Sequence, residues 1–175
     1  GVMMLGLTGC GNDSVEKAEQ DLQEVQQEYG TVEKETVDEL VAKFNTEVMD
    51  NSSLNPASTD YLTIDSHRYW YGLITGVYLV VVPEEYRNDP TVETVDYMFM
   101  FIEKDSEYQD DAIEYVRYLI KANNNDITDN EIDTLLEEAI EKSPSEETAN
   151  NGKGISIGYI ENDDNYQYQV IRLYE

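Results

Sequence analysis

The chain is poor in the residues from which reactive centres are most often built. Among its 175 residues there is one cysteine, one histidine and one tryptophan. A lone thiol cannot close an internal disulfide, and a lone histidine excludes every multi-histidine metal centre. Basic residues are scarce too, with 11 Lys+Arg against 38 Asp+Glu and a formal net charge of −27. A phosphate backbone must be neutralised by Lys and Arg, so no nucleic-acid partner is expected. The same imbalance opposes adsorption to anionic lipid headgroups. No run approaches the roughly 20 apolar residues that a membrane-spanning helix needs. The 40% hydrophobic content still suffices for the core of one domain.

What is present begins at the N-terminus. Residues 1–9 are small and apolar, Cys10 follows, and Gly11-Asn12-Asp13-Ser14 turns polar at once. Leu7-Thr8-Gly9-Cys10 resembles the lipobox of bacterial lipoprotein signal peptides. The resemblance covers only these residues, and it implies removal of residues 1–9 and lipidation of Cys10. It also implies a mature protein on the extracytoplasmic face of the cell membrane, with more than one acyl chain for stable anchoring. A basic n-region is absent and Gly1 is not an initiator methionine, so the chain is read as starting partway through its signal. Gly11, rather than Asp, follows the cysteine, and Asn, Tyr and Ile are abundant, which points to a Gram-positive host.

Residues 10–35 read as an acidic tether. Val15, Ala18, Leu22, Val25 and Tyr29 form a thin helical stripe, too sparse to bury much. The folded domain is expected over residues 36–175. Thr36-Val37-Asp38-Glu39 has the form of a capping box, and Val37, Leu40, Val41, Phe44 and Val48 continue it as a helix over about residues 37–49. Turn-forming residues 50–60 lead to strand candidates at 61–65, 67–74, 77–82 and 94–103, with Gly72 as a bulge, Thr75-Gly76 as a turn and 84–93 as a loop.

The period then changes. Ser106-Glu107-Tyr108-Gln109 predicts a second capping box, with Tyr108, Ala112, Tyr115, Val116 and Leu119 on one face of the helix behind it. Thr128 to Glu131 predicts the cap of another helix, with Ile132, Leu135, Leu136, Ala139 and Ile140 in line. A final hairpin pairs 155–159 with 166–173 across Glu161 to Asn165. Helix, strands, two helices and a hairpin do not alternate regularly. The fold class is therefore α+β, an antiparallel sheet of about five strands packed against helices on one side.

Candidate chemistry is thin. His67 beside Ser66 or Asp65 could serve as a base, but neighbours in an extended strand point to opposite faces. Asp60, Asp65 and Asp96 are the nearest candidates for a glycosidase carboxylate pair. The stretches Asn123–Asp129 and Glu161–Asn165 offer oxygen ligands suited to calcium, yet neither has the EF-hand spacing. Capping and a hairpin turn account for both, and no cofactor is expected. Tyrosine is the unusual aromatic, with 14 Tyr against 3 Phe. Tyr69, Tyr71, Tyr166 and Tyr168 form a possible binding face, since tyrosine suits half-wet surfaces and interface anchors. The expected role is a non-enzymatic binding module for a protein or glycan ligand. The alternative is a small carboxylate-dependent hydrolase of the cell envelope.

Overall fold

The computed structural model describes residues 30–65, 67–84 and 94–174, with the backbone alone at Tyr71 and Gly72. Helix α1 (Val37–Asn51) starts where the sequence places it. Thr36 Oγ1 accepts from the Glu39 amide at 3.2 Å, and the Thr36 amide donates to Glu39 Oε2 at 3.1 Å. Two of the four amide donors left open at a helix start are thereby satisfied. Strands β1 (Leu62–Ile64), β2 (His67–Ile74), β3 (Val77–Pro83) and β4 (Val95–Glu103) follow as a meander. Helices α2 (Gln109–Asn123) and α3 (Asp129–Lys142) come next, then β5 (Ala149–Asn150), β6 (Ile155–Glu161) and β7 (Asn165–Arg172).

The strands form one antiparallel sheet in the order β1-β2-β3-β4-β7-β6-β5, and β7 returns to lie beside β4. The α+β class stands, with seven strands rather than about five. β1, three residues long, falls within the expected strand at 61–65; β5 is the unexpected edge, and its two residues are too few to carry a legible alternation. Gly76, at φ 80°, makes the turn between β2 and β3. The β2–β3 register shifts between Trp70 and Ile74, around the expected Gly72 bulge.

The core lies on one side of the sheet. Register stacks Leu79 beside Met100 and Tyr168, and Val81 beside Met98 and Val170. These pack with Phe44 of α1, Tyr115, Val116, Leu119 and Ile120 of α2, and Ile132 and Leu135 of α3. Burying each such aliphatic side chain contributes about 1.5–3 kcal/mol. The Tyr115 hydroxyl donates to the carbonyls of Asn55 at 2.7 Å and Leu73 at 3.2 Å, so its polar end is satisfied inside the core.

Two local expectations differ from the structure. The second capping box does not form: α2 begins at Gln109, behind an N-cap Tyr108 that makes no side-chain cap bond. Ser106 Oγ instead donates to the Thr75 carbonyl at 2.7 Å and accepts from the Tyr108 amide at 3.2 Å. Gln109 turns its amide group to the carbonyls of Glu103 and Ser106, both at 2.9 Å. Tertiary partners outcompete the local motif.

The second difference concerns residues 30–35, which sequence assigns to the tether. They thread between the start of β4 and the end of β7. The Val32 amide donates to the Leu173 carbonyl, and the Val95 amide to the Glu35 carbonyl, both at 2.9 Å. Gly30 (φ 71°) and Gly154 (φ 82°) pass so closely that a Cβ on Gly30 would lie 2.3 Å from the Gly152 carbonyl oxygen. Residues 1–29, with the expected signal segment, Cys10 and the thin stripe, lie outside the described residues, as do Ser66 and the 85–93 part of the expected loop.

Candidate functional site

Strand pleat decides what each face of the sheet carries. In β4 the even positions Met98, Met100 and Ile102 are fully buried under the helices. The odd positions Tyr97, Phe99 and Phe101 are half-buried and point the other way. The pairing extends this second face across the sheet: Leu62 pairs with Tyr69, Tyr69 with Val80, Val80 with Phe99, and Phe99 with Gln169. Parallel rows run Tyr78–Phe101–Gln167 and Val82–Tyr97–Ile171. Val80 and Val82 are buried, yet neither belongs to the cluster of core residues under the helices. No helix among the described residues packs on this face.

The face is apolar and in part open to solvent. Leu62 is 55% exposed, Ile64 47%, Ile160 40% and Ile171 36%, and all four lie on it. Its rings sit in neighbouring pairs, with Tyr78–Phe101 centroids 5.9 Å apart and Tyr97–Phe99 6.5 Å. Among its described positions the one carboxylate is Glu103, at the border, where Oε1 accepts from the Tyr78 hydroxyl at 3.2 Å. Apolar patches bordered by polar groups are characteristic of sites where another molecule docks.

The four tyrosines singled out from sequence are distributed over both faces. Tyr69 is on the helix-free face, its ring 6.3 Å from that of His67. Tyr71 lies in β2, where the structure describes backbone alone. Tyr166 and Tyr168 share one face, as alternation requires, but it is the helix-covered one. They cluster there with Tyr159, whose ring is 5.1 Å from that of Tyr168 and 6.0 Å from that of Tyr166. The Tyr166 hydroxyl donates to Gln109 Oε1 of α2. Burial pushes the Tyr168 phenol up to about 12. The Tyr159 phenol is also raised, by burial and then by its 2.7 Å hydrogen bond to Glu161.

The residues of the helix-free face that sequence reading missed are Tyr97, Phe99, Phe101, Tyr78 and Ile171. Their signal was present. Within the unbroken apolar run Tyr97-Met98-Phe99-Met100-Phe101-Ile102, aromatics hold the odd positions and flexible aliphatics the even ones.

A second concave region, a cleft of about 700 Å³, lies between α1, the end of α2 and residues 32–35, with Arg172 at its base. Its basic residues are already engaged. The Arg172 guanidinium lies 3.1 Å from Glu35 Oε2, donates to the Glu33 carbonyl at 2.7 Å and reaches Asn123 Oδ1. Lys43 pairs with Glu35, and Lys121 donates to the Ile127 carbonyl at 2.8 Å. The cleft is a structural junction that pins the incoming chain to the sheet.

The remaining candidates stay apart. Asp60 and Asp65 are exposed on either side of β1, Asp96 is exposed at the start of β4, and none of the three borders the cleft. His67 Nδ1 lies 2.8 Å from the Asp65 carbonyl oxygen. In the first oxygen-rich stretch Asn124 Oδ1 accepts from the Asp126 amide at 3.0 Å, and Lys153 Nζ donates to the Asp126 carbonyl at 3.0 Å. In the second, Asn162 Nδ2 donates to Asn165 Oδ1 at 2.9 Å. Among the described residues no three His, Cys, Asp or Glu side chains are grouped to hold a metal ion, and no helix is long and apolar enough to cross a membrane. Comparison with protein-family models, curated proteins and solved structures gives no match to this chain.

Proposed function

We propose that this protein is a non-enzymatic binding module, held at the extracytoplasmic face of a bacterial cell membrane by lipid on Cys10. The observation that supports binding is the helix-free sheet face, where aromatic and branched aliphatic side chains stand in register with a single carboxylate at the border. Such a surface loses free energy when it is covered, at roughly 25 cal/mol per Å² of apolar area. The Leu7–Cys10 motif supports the anchor. The hydrolase alternative has less support, since none of Asp60, Asp65 and Asp96 borders the cleft of about 700 Å³.

One experiment addresses both parts. A photoreactive benzoylphenylalanine is placed at Phe99, or at the exposed Glu137 of α3, in cells carrying the natural Cys10 or Cys10→Ala. The expected result is a discrete adduct from position 99 and none from position 137. With Cys10→Ala the protein moves from the membrane fraction to the medium. Equal labelling at both positions, or none at position 99, overturns the binding face. Unchanged membrane association overturns the anchor.

A further inference from the structure

The helix-free face carries enough chemistry to specify its occupant, on the reading that it is a binding face. Its interior is neutral, while its borders are acidic. Glu103 ends β4 and Asp105 follows it, and Asp163 and Asp164 lie in the β6–β7 turn at the same end of the sheet. Asp96 is exposed at the opposite end of β4. Against them the one described base at the hairpin end is Lys104, which already lies 3.7 Å from Glu161.

Size narrows the choice. Six strands spaced about 4.8 Å apart and about seven residues long give a face of roughly 24 by 24 Å, under about 600 Å². A second copy would bring another −27 of charge to the same border. The chain's own residues 11–29 carry six carboxylates and one lysine, so their charge opposes the acidic border too. A helix of about 18 residues, some 27 Å long, matches the width of the face. The surface is broad, and its interior polar groups are few, Gln167 and Gln169 among them. That suits the apolar side of a polypeptide better than a sugar, whose hydroxyls need many donors and acceptors.

We propose that the helix-free face receives a cationic amphipathic polypeptide segment, whose apolar side lies over Val80, Phe99 and Ile171 and whose Lys or Arg flanks meet the acidic borders. This is the helix-in-groove mode of recognition, with a sheet in place of the groove.

The test titrates the full chain with a synthetic Leu/Lys amphipathic helix of about 18 residues. The controls are the same helix with Glu for Lys, and an oligolysine of equal charge. Saturable one-to-one binding of the Leu/Lys helix is expected, weakening about tenfold between low salt and about 1 M salt. The double variant Ile160→Lys, Ile171→Lys should weaken it by about a further tenfold, since it puts like charge under the helix at exposed positions. Gln169→Lys, at a position that is already polar, gives the same reading if the double variant does not fold. Equal binding of the Leu/Glu helix overturns the charge assignment. Oligolysine binding as well, or binding indifferent to these variants, reduces the effect to diffuse attraction and overturns the docking site. Self-association abolished by Ile171→Lys assigns the face to a second copy instead. Adducts at position 99 without peptide binding overturn this partner chemistry while leaving the binding module intact.

Discussion

The two faces of strand β4 are one residue apart in sequence and differ in almost everything else. Met98, Met100 and Ile102 are fully buried among three helices, in space whose shape the helices dictate. Methionine fills such irregular space because its unbranched chain bends to fit. Tyr97, Phe99 and Phe101 stand on the opposite face with few torsions to order and large flat sides. Both sets are equally apolar. On this one strand the two faces differ in the kind of apolar residue, with two methionines and an isoleucine beneath the helices and three aromatics where no described helix lies.

The sharpest way to break this comparison is to put the same charge on both sides of β4. Met100→Asp buries an unpaired carboxylate and removes core packing, and should cost more than about 4 kcal/mol, enough to abolish cooperative unfolding. Phe99→Asp, its immediate neighbour, should cost about 1 kcal/mol. Urea unfolding of the two variants measures the difference, and equal losses would show that the two faces are energetically alike.

β7 offers a milder version. Arg172→Ala takes from Glu35 one of its two basic partners, leaves the buried Asn123 Oδ1 without its guanidinium donor, and should cost about 3 kcal/mol. Gln169→Ala, on the helix-free face of the same strand, should change the urea midpoint by less than about 0.5 kcal/mol. A comparable loss at both positions would remove the junction's special standing.

The last effect appears only in alkali, and it belongs to the helix-covered side. Burial holds the Tyr115 and Tyr168 phenols at about 12 in the folded state, against 10.0 for the free group. The folded chain therefore keeps these protons longer than the unfolded chain does. Stability is intact below pH 10 and declines as pH rises toward 12, by at most about 1.4 kcal/mol per unit for each phenol. Urea midpoints at several pH values follow this decline, and Tyr115→Phe should make it shallower. A slope unchanged in that variant would assign the decline to other groups.

These contrasts also show what could be read from sequence. Helices α1 and α3 were legible because Thr36 and Thr128 cap them and their apolar residues recur at helical spacing. The longer strands were legible as runs, and the alternation of Tyr69 with Trp70, like the common face of Tyr166 and Tyr168, follows from pleat alone. Which face the helices cover is a property of the assembled sheet, so sequence could not say that Tyr69 and Tyr168 lie on opposite sides. Ser106 could not declare that Thr75 would claim its hydroxyl, 31 residues earlier in the chain. The role of Arg172 depends on Glu33 and Glu35, which only the folded chain brings to it.

The edges of the sheet carry one further consequence. It ends in β1 and β5, strands of three and two residues. Such short edges give another chain almost no ladder to extend, which removes the usual template for fibre growth. Crowding or loss of a partner should therefore leave this protein short of the edge template that ordered fibrils need.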